Sequence, residues 1–299
     1  MSLSGERPMR VLRGRAPAKV TLSLRVLGTR PDGYHELDAL TVSCSDPNDR
    51  IALYPQRRGD TVSVAPAGSA PTGAANNLAT KAITLLRPRL PADLPGIRVR
   101  LHKQIPMGAG LGGGSADAAM VLTLLGKHFA LPRRDLERAA ARLGSDVPFA
   151  LRGTPAFLRG RGERLVAAPG IGSLTLVIAT PDFGCDTPLV YRAWDELGSP
   201  RSDRVLESDL VDGGLANDLE PAAHAVFPLL GAFRDAVARS TDRHPIMLGS
   251  GSSYAVVADD PDHGAAIAAR LRADLYLPTV WCGSTVPSAR TGSSGSTAR

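Results

Sequence analysis

The chain is poor in cysteine, lysine, aromatics and long apolar runs, and each shortage excludes something. Cys44, Cys185 and Cys282 are an odd, scattered set without metal-ligand spacing. They exclude a disulfide framework and read as free thiols in a reducing, cytoplasmic compartment. The six histidines are equally unclustered, so no structural metal is expected. No apolar run approaches the roughly 20 residues of a membrane span. The N-terminus, MSLSGERPMRVLRGRA, is basic but has no apolar segment behind it, so it does not read as a secretory signal. Aromatics make up 4% of the chain and no basic stretch is interleaved with them to stack bases. A nucleic-acid partner is therefore not expected despite a net charge of +6 and a pI near 9.6; an anionic small substrate explains the balance as well. Lysine occurs only at positions 19, 81, 103 and 127. Each is worth attention, because arginine does not readily replace a compact ammonium with a tunable pKa.

What is present begins with glycine. Residues 106–119 read PMGAGLGGGSADAA. They follow a strand-like stretch in which Ile97, Val99, Leu101 and Ile105 alternate with Arg98, Arg100 and His102. They run into an Ala/Leu-rich helix expected over Ser115–Phe129. A backbone this bare can turn several N–H groups toward one anion at a helix N-terminus. A phosphate chain is the natural occupant. A Walker A loop is excluded, since no Gly-Lys-Ser/Thr closes the run. Gly108, Gly110 and Gly113 satisfy G-x-G-x-x-G, but a dinucleotide fold would next need a parallel strand ending in an acidic residue. Here the helix leads to Leu131-Pro132 and another helix around Arg134–Leu143.

With 299 residues and 43% hydrophobic content, the chain can form one large or two medium domains. The first part reads as β-strands: Val11 and Leu12, Ala18–Val26, Leu37–Cys44, Ile51–Tyr54 and Thr61–Val64. Turn signals fall at Pro31-Asp32-Gly33 and Asp46-Pro47-Asn48. Asn77–Leu90 is expected to be helical. From Leu174 a second segment follows: strand Leu174–Ala179, helix Thr187–Leu197, helix over Pro221–Ser240, strand and glycine turn Ile246–Gly251, strand Ser252–Ala258, helix Asp262–Ala273 and strand Thr279–Cys282. Residues 284–299 lack a core-forming pattern and are expected to be a disordered tail.

Four further local patterns can carry chemistry. Lys19 sits among small and apolar residues at a strand start, where it would seek an anion; a snorkelling edge lysine fits equally. Asp146 lies between Gly144, which ends a helix, and Pro148, which is expected to block another. A catalytic carboxylate and a helix N-cap both fit. Tyr34 and His35 follow the Asp32-Gly33 turn and offer a stacking face and a directional hydrogen bond, or else an ordinary hairpin. Gly249-Ser250-Gly251-Ser252-Ser253 offers backbone and hydroxyl donors, or a plain turn.

In order and spacing, Lys19 in Pro-Ala-Lys, the loop Gly108–Ser115 and the turn Gly249–Ser253 resemble the three motifs of the GHMP kinase superfamily. The stretches PDGYHEL, LGSDVPF, GRGERL and LANDLEPAA resemble its branch acting on a cytidine diphosphate-linked polyol of isoprenoid precursor synthesis. The resemblance implies a two-domain α+β fold: a ribosomal-S5-like N-terminal domain over 1–165 and a ferredoxin-like C-terminal domain over 166–283. It implies that ATP binds through Asn77, Lys103, Pro106, Gly108, Gly110, Leu111, Gly112, Gly113, Gly114 and Ser115, with the Ser115 hydroxyl near a bridging Mg2+. The substrate would meet Thr21, Tyr34, His35, Thr187, Tyr191, Gly249, Ser250 and Gly251, its cytosine stacked on Tyr34 and Tyr191 and hydrogen-bonded by His35. Lys19 and Asp146 would be the catalytic pair flanking the acceptor hydroxyl. The protein would work as a monomer or homodimer, away from membranes. There are two departures from the branch: Thr21 stands where it has Asn, and Cys185-Asp186 precedes Thr187. These favour an alternative, a paralogue acting on another nucleotide-linked or phosphorylated polyol.

Overall fold

The computed structural model describes residues 9–71, 73, 75–94, 96–198, 215–277 and 279–288. Two long antiparallel strands, β1 (Leu12–Thr29) and β2 (His35–Pro55), form its spine. The expected turn at Pro31-Asp32-Gly33 joins them, with Gly33 at φ +80°. The second turn signal behaves differently. Asp46-Pro47-Asn48 does not end a strand, because β1 pairs with β2 on both sides of it. The register steps from Pro17 opposite Asn48 to Ala18 opposite Cys44, so residues 45–47 bulge out. A donated bond from Asn48 Nδ2 to the Ser45 carbonyl at 3.0 Å closes the bulge.

The N-terminal sheet adds β3 (Thr61–Ala65), β4 (Ile97–His102), β5 (Ala156–Gly160) and β6 (Arg164–Ala167) in the order β3-β4-β2-β5-β6, with β1 paired to β2. The alternation in β4 holds: Ile97, Val99 and Leu101 are buried while Arg98, Arg100 and His102 are exposed. The buried set packs under α1 (Leu78–Leu86), α2 (Gly113–His128), α3 (Arg133–Leu143) and α4 (Val147–Arg152). Each fully buried leucine or valine there contributes roughly 1.5–3 kcal/mol. Helix α4 corrects the expectation that Pro148 blocks a helix. Pro148 sits in the first turn, where the missing N–H has no intrahelical partner to lose. The expected boundary at 165/166 also falls inside β6, which pairs with β5 through Ala167.

The C-terminal part runs β7 (Thr175–Ala179), α5 (Thr187–Glu196), α6 (Glu220–Val226), α7 (Pro228–Thr241), β8 (Ile246–Met247), β9 (Tyr254–Ala258), α8 (Pro261–Leu275) and β10 (Val280–Ser284). Its antiparallel sheet has the order β10-β7-β9-β8, a ferredoxin-like arrangement. The helical stretch expected over Pro221–Ser240 divides at Phe227, which at φ −124° and ψ 78° is kept out of the helical region, as the residue before a proline is.

Two seams join the halves. Asn217 bridges Leu24 of β1, and Asp218 accepts from the Val26 N–H at 2.8 Å. The second seam corrects the tail. Thr285 bridges Cys44, the Val286 N–H donates to Ser43, and the Ser288 N–H donates to Ile171. Residues 284–288 thus belong to the fold, held by backbone bonds that composition does not reveal; 289–299, like the N-terminal 1–8, lie outside the described residues.

Candidate active site

The glycine run lies where three segments meet. Gly108, Gly110 and Gly112 all have φ near +70°, the left-handed region glycine alone enters freely. Space is short as well. A Cβ on Gly110 would overlap the Leu248 carbonyl, and one on Gly112 would stand 3.2 Å from Lys19 Cβ. Backbone bonds fix the approach: the Lys19 N–H donates to Leu111 at 2.9 Å, and the Cys185 N–H donates to Gly108 at 3.0 Å. The loop is thereby seated on β1 from one domain and on the 184–187 and 248–253 segments of the other.

Beside it opens a cavity of about 700 Å³. It is lined by Lys19, Thr21, Asn77, Lys103, Pro106, Gly108, Gly110, Leu111, Gly112, Gly113, Gly114, Ser115, Asp146, Thr187, Tyr191, Gly249, Ser250 and Gly251. Eighteen of the twenty residues proposed from sequence therefore line one cavity. Lys19 Nζ is 2.8 Å from Asp146 Oδ2. Asp146 precedes α4, but its side chain makes no cap bond; it faces the lysine instead. Thr187 and Ser250 join hydroxyls at 2.7 Å across the cavity mouth.

Tyr34 and His35 are the exceptions, as neither lines the cavity. His35 is buried, with its ring stacked on Tyr191 at 4.7 Å between centroids and its Nε2 2.9 Å from Asp195. Tyr34 is exposed, with the Arg161 guanidinium 4.6 Å over its ring. Arg161 itself reaches the cavity wall. Burial, with the Asp146 charge nearby, holds the Tyr191 hydroxyl above its ordinary pKa, so it is a neutral donor. Burial also pushes the Cys185 thiol up to about 11, which leaves it a poor nucleophile.

Lys103 is tied into a buried cluster. Its ammonium contacts Asp49 and lies 2.6 Å from Asp117. Asp49 Oδ1 also accepts from the Gln104 and Ile105 N–H groups at 2.7 and 3.0 Å, pinning the strand where it enters the glycine loop. Burial, opposed by Lys103 and reinforced by Asp49, raises the Asp117 carboxyl to about 7. Asn77 likewise serves the fold: its Oδ1 caps α1 through the Ala79 N–H, and its Nδ2 donates to Pro71. Asp186 caps α5 by accepting from the Leu189 N–H at 3.0 Å.

Sequence reasoning missed Asn217. Its Nδ2 donates to the carbonyls of Met247 at 2.8 Å and Gly249 at 2.7 Å, fixing the second glycine turn against β1. The Asn-Asp pair before a helical stretch was the available signal. Arg161 was also missed, although its Arg-Gly-Arg-Gly-Glu turn was visible.

A ribosomal-S5-like half, a ferredoxin-like half, and a glycine loop opening onto a Lys–Asp pair between them define a GHMP-type small-molecule kinase. The family model for the GHMP kinases N terminal domain matches residues 77–154. A solved 4-(cytidine 5'-diphospho)-2C-methyl-D-erythritol kinase superposes with a TM-score of 0.78 at 36% identity, over 92% of this chain and 99% of that one. A homoserine kinase from Cytophaga hutchinsonii shares the fold at a TM-score of 0.65 and 16% identity, over 96% of this chain and 98% of that one. The 4-diphosphocytidyl-2-C-methyl-D-erythritol kinase of Moorella thermoacetica is 36% identical over 91% of this chain and 98% of its own length. That of Symbiobacterium thermophilum is 38% identical over 85% and 93%. The chain belongs to the 4-diphosphocytidyl-2-C-methyl-D-erythritol kinase family.

Proposed function

We propose that this chain transfers the γ-phosphoryl group of ATP to the 2-hydroxyl of 4-diphosphocytidyl-2-C-methyl-D-erythritol, a step of non-mevalonate isoprenoid synthesis. The carrying observation is the Lys19–Asp146 pair, 2.8 Å apart on the wall of a glycine-loop cavity. An alcohol is a weak nucleophile at neutral pH. Asp146 orients the acceptor hydroxyl and takes its proton as the phosphoryl group arrives. Lys19 stabilises the ionised carboxylate and the charge that develops on the acceptor oxygen. The N–H groups of Gly108–Ser115 and the N-terminal end of α2 cradle the phosphates.

The donor set suits magnesium carried on the nucleotide. Among the described residues no group of three or more His, Cys, Asp or Glu forms a protein cage, and Mg2+ commonly uses substrate phosphates with few protein ligands. Ser115, half-buried in the first turn of α2, would hold it. When bound, the ion neutralises charge on the phosphates.

Thr187, Ser250 and the Asn217-held turn form the opposite wall, where the substrate diphosphate would lie. Tyr191 and Arg161 stand at the base end, with Tyr34 and His35 behind them. The capping role of Asp186 removes one reason for a different substrate, since its charge is spent on the α5 N-terminus. A coupled ADP-release assay tests the reading. Saturable turnover is expected with the cytidine diphosphate-linked polyol and not with uncoupled polyol phosphates. Saturable turnover only with another phosphorylated polyol would assign the paralogous activity instead.

A further inference from the structure

The outer face of the N-terminal sheet gathers cations without counter-ions. Alternation sends Ala16, Ile51, Leu53, Val99 and Leu101 into the core, and Arg13, Arg15, Arg50, Arg100 and His102 to solvent. The register then sets like charges opposite one another, Arg15 facing Arg50, with His102 opposite Arg50 on the next strand. Directly opposed like charges destabilise a sheet. Several arginines elsewhere are paired, as Arg159 is with Asp38 and Arg243 with Asp259; what sets this face apart is that its cations are neighbours on adjacent strands. Among the described residues Arg13, Arg15, Arg50 and Arg100 have no ion pair. The Asp46 carboxyl feels Arg15 through space without a direct ion pair. Arg100 sits 5.1 Å over the Tyr54 ring, which orients its guanidinium fork.

These side chains line a groove of about 680 Å³, with the Ser63 hydroxyl among them and no carboxylate in its wall. We propose that this face is a second anion site, separate from the kinase cavity, which takes a compact di- or triphosphate group, free or borne on a small molecule. Guanidinium forks bind phosphate oxygens two at a time. The size argues for a small ligand. Three strands about 4.8 Å apart and one side-chain repeat of roughly 6.8 Å frame a patch for two or three phosphates, too short to track a nucleic-acid strand. The groove volume also lies in the small-ligand range.

The test is arginine labelling by a dicarbonyl reagent on the full chain, mapped by mass spectrometry. Inorganic triphosphate is expected to slow labelling of Arg15, Arg50 and Arg100 by about five-fold or more, while Arg243 is unaffected. ATP at the same concentration separates the sources. Equal protection means the phosphates alone are read; greater protection means the carrier contributes. By calorimetry the R15A/R50A double variant is expected to weaken triphosphate binding at this face about ten-fold or more with kinase turnover unchanged. Should that variant fail to fold, the labelling of the wild-type chain decides. No protection of the three arginines, or equal protection of Arg243, overturns the proposal. So does a short oligonucleotide that protects them at lower concentration than triphosphate, or a wild-type dimer that R15A/R50A separates.

Discussion

Two lysines lining one cavity face aspartates, and the difference between them separates the chemistry proposed for this site from its architecture. Lys19 and Asp146 are 14% and 34% exposed, so water, substrate and proton can reach both. Lys103 and its partners Asp49 and Asp117 are 3%, 0% and 3% exposed. The first pair can change partners during a reaction. The second cannot, because removing its cation strands two carboxylates in a dry interior. A lysine beside the glycine loop is therefore no candidate catalyst by position alone; under the proposed reaction, what matters is whether its carboxylate is open to the acceptor hydroxyl.

Substitutions can break this contrast from either side. On the side of the open pair, Asp146→Asn keeps shape but removes the proposed proton acceptor, with an expected turnover loss of about 10²–10⁴-fold. Thermal unfolding should hardly change, since a partly exposed pair contributes only about 0–1 kcal/mol. Near-normal kcat would remove Asp146 from the chemistry. On the architectural side, Lys103→Met should destabilise by about 3–5 kcal/mol, the usual cost of taking one partner from a buried ion pair. Denaturant unfolding measures this directly. A Lys103→Met protein as stable as wild type, yet inactive, would move Lys103 into the nucleotide site and erase the contrast.

The contrast was only half legible in the sequence. The glycine run stands in a local pattern that suggests an anion, whereas Lys19 and Asp146 each fit a plainer local reading and are singled out only by their order and spacing with the glycines. Lys103 sits equally close to the glycines, and nothing local shows that Asp49 and Asp117 enclose it. Asp49 follows the bulge at 45–47, which reads as a turn until β1 is seen to pair on both sides of it. Tyr34 and His35 form a recognisable motif, but their distance from the cavity depends on Tyr191 and Asp195, about 160 residues away in sequence. The fold class was readable through the resemblance that Pro-Ala-Lys, the glycine loop and the second glycine turn carry in their order and spacing. The seam at 284–288 was not, since backbone hydrogen bonds leave little trace in Ser/Thr-rich composition.

A smaller effect tests how the glycine loop couples to Lys19. Gly112 lies at φ +67°, with Lys19 Cβ 3.2 Å from where its own Cβ would stand. Gly112→Val combines left-handed strain of about 1–2 kcal/mol with pressure on Lys19. ATP binding by calorimetry is expected to weaken about ten-fold, on the scale of that strain, with the cytidine substrate unaffected. Unchanged ATP affinity would place the phosphates elsewhere in the cavity.

The mildest substitution acts on the buried cluster through pH. Asp117 has its carboxyl raised from an ordinary value of 3.8 to about 7, chiefly by burial. The native state therefore holds a proton that the unfolded chain releases from about pH 4 upward. Stability from this group is fully present below pH 4, is lost progressively as pH rises toward 7, and changes no further above it. Asp117→Asn imitates the protonated form at every pH. It keeps an oxygen for Lys103 and leaves Lys103 and Asp49 as a balanced pair. The variant should match wild type near pH 4, exceed it in stability near pH 8, and show a flatter profile between. Urea unfolding across that range measures the slope. A variant that parallels wild type at every pH would mean that Asp117 stays ionised in the fold. Lys103 would then hold two full charges, and the cluster would resemble the open Lys19 pair more closely than its burial implies.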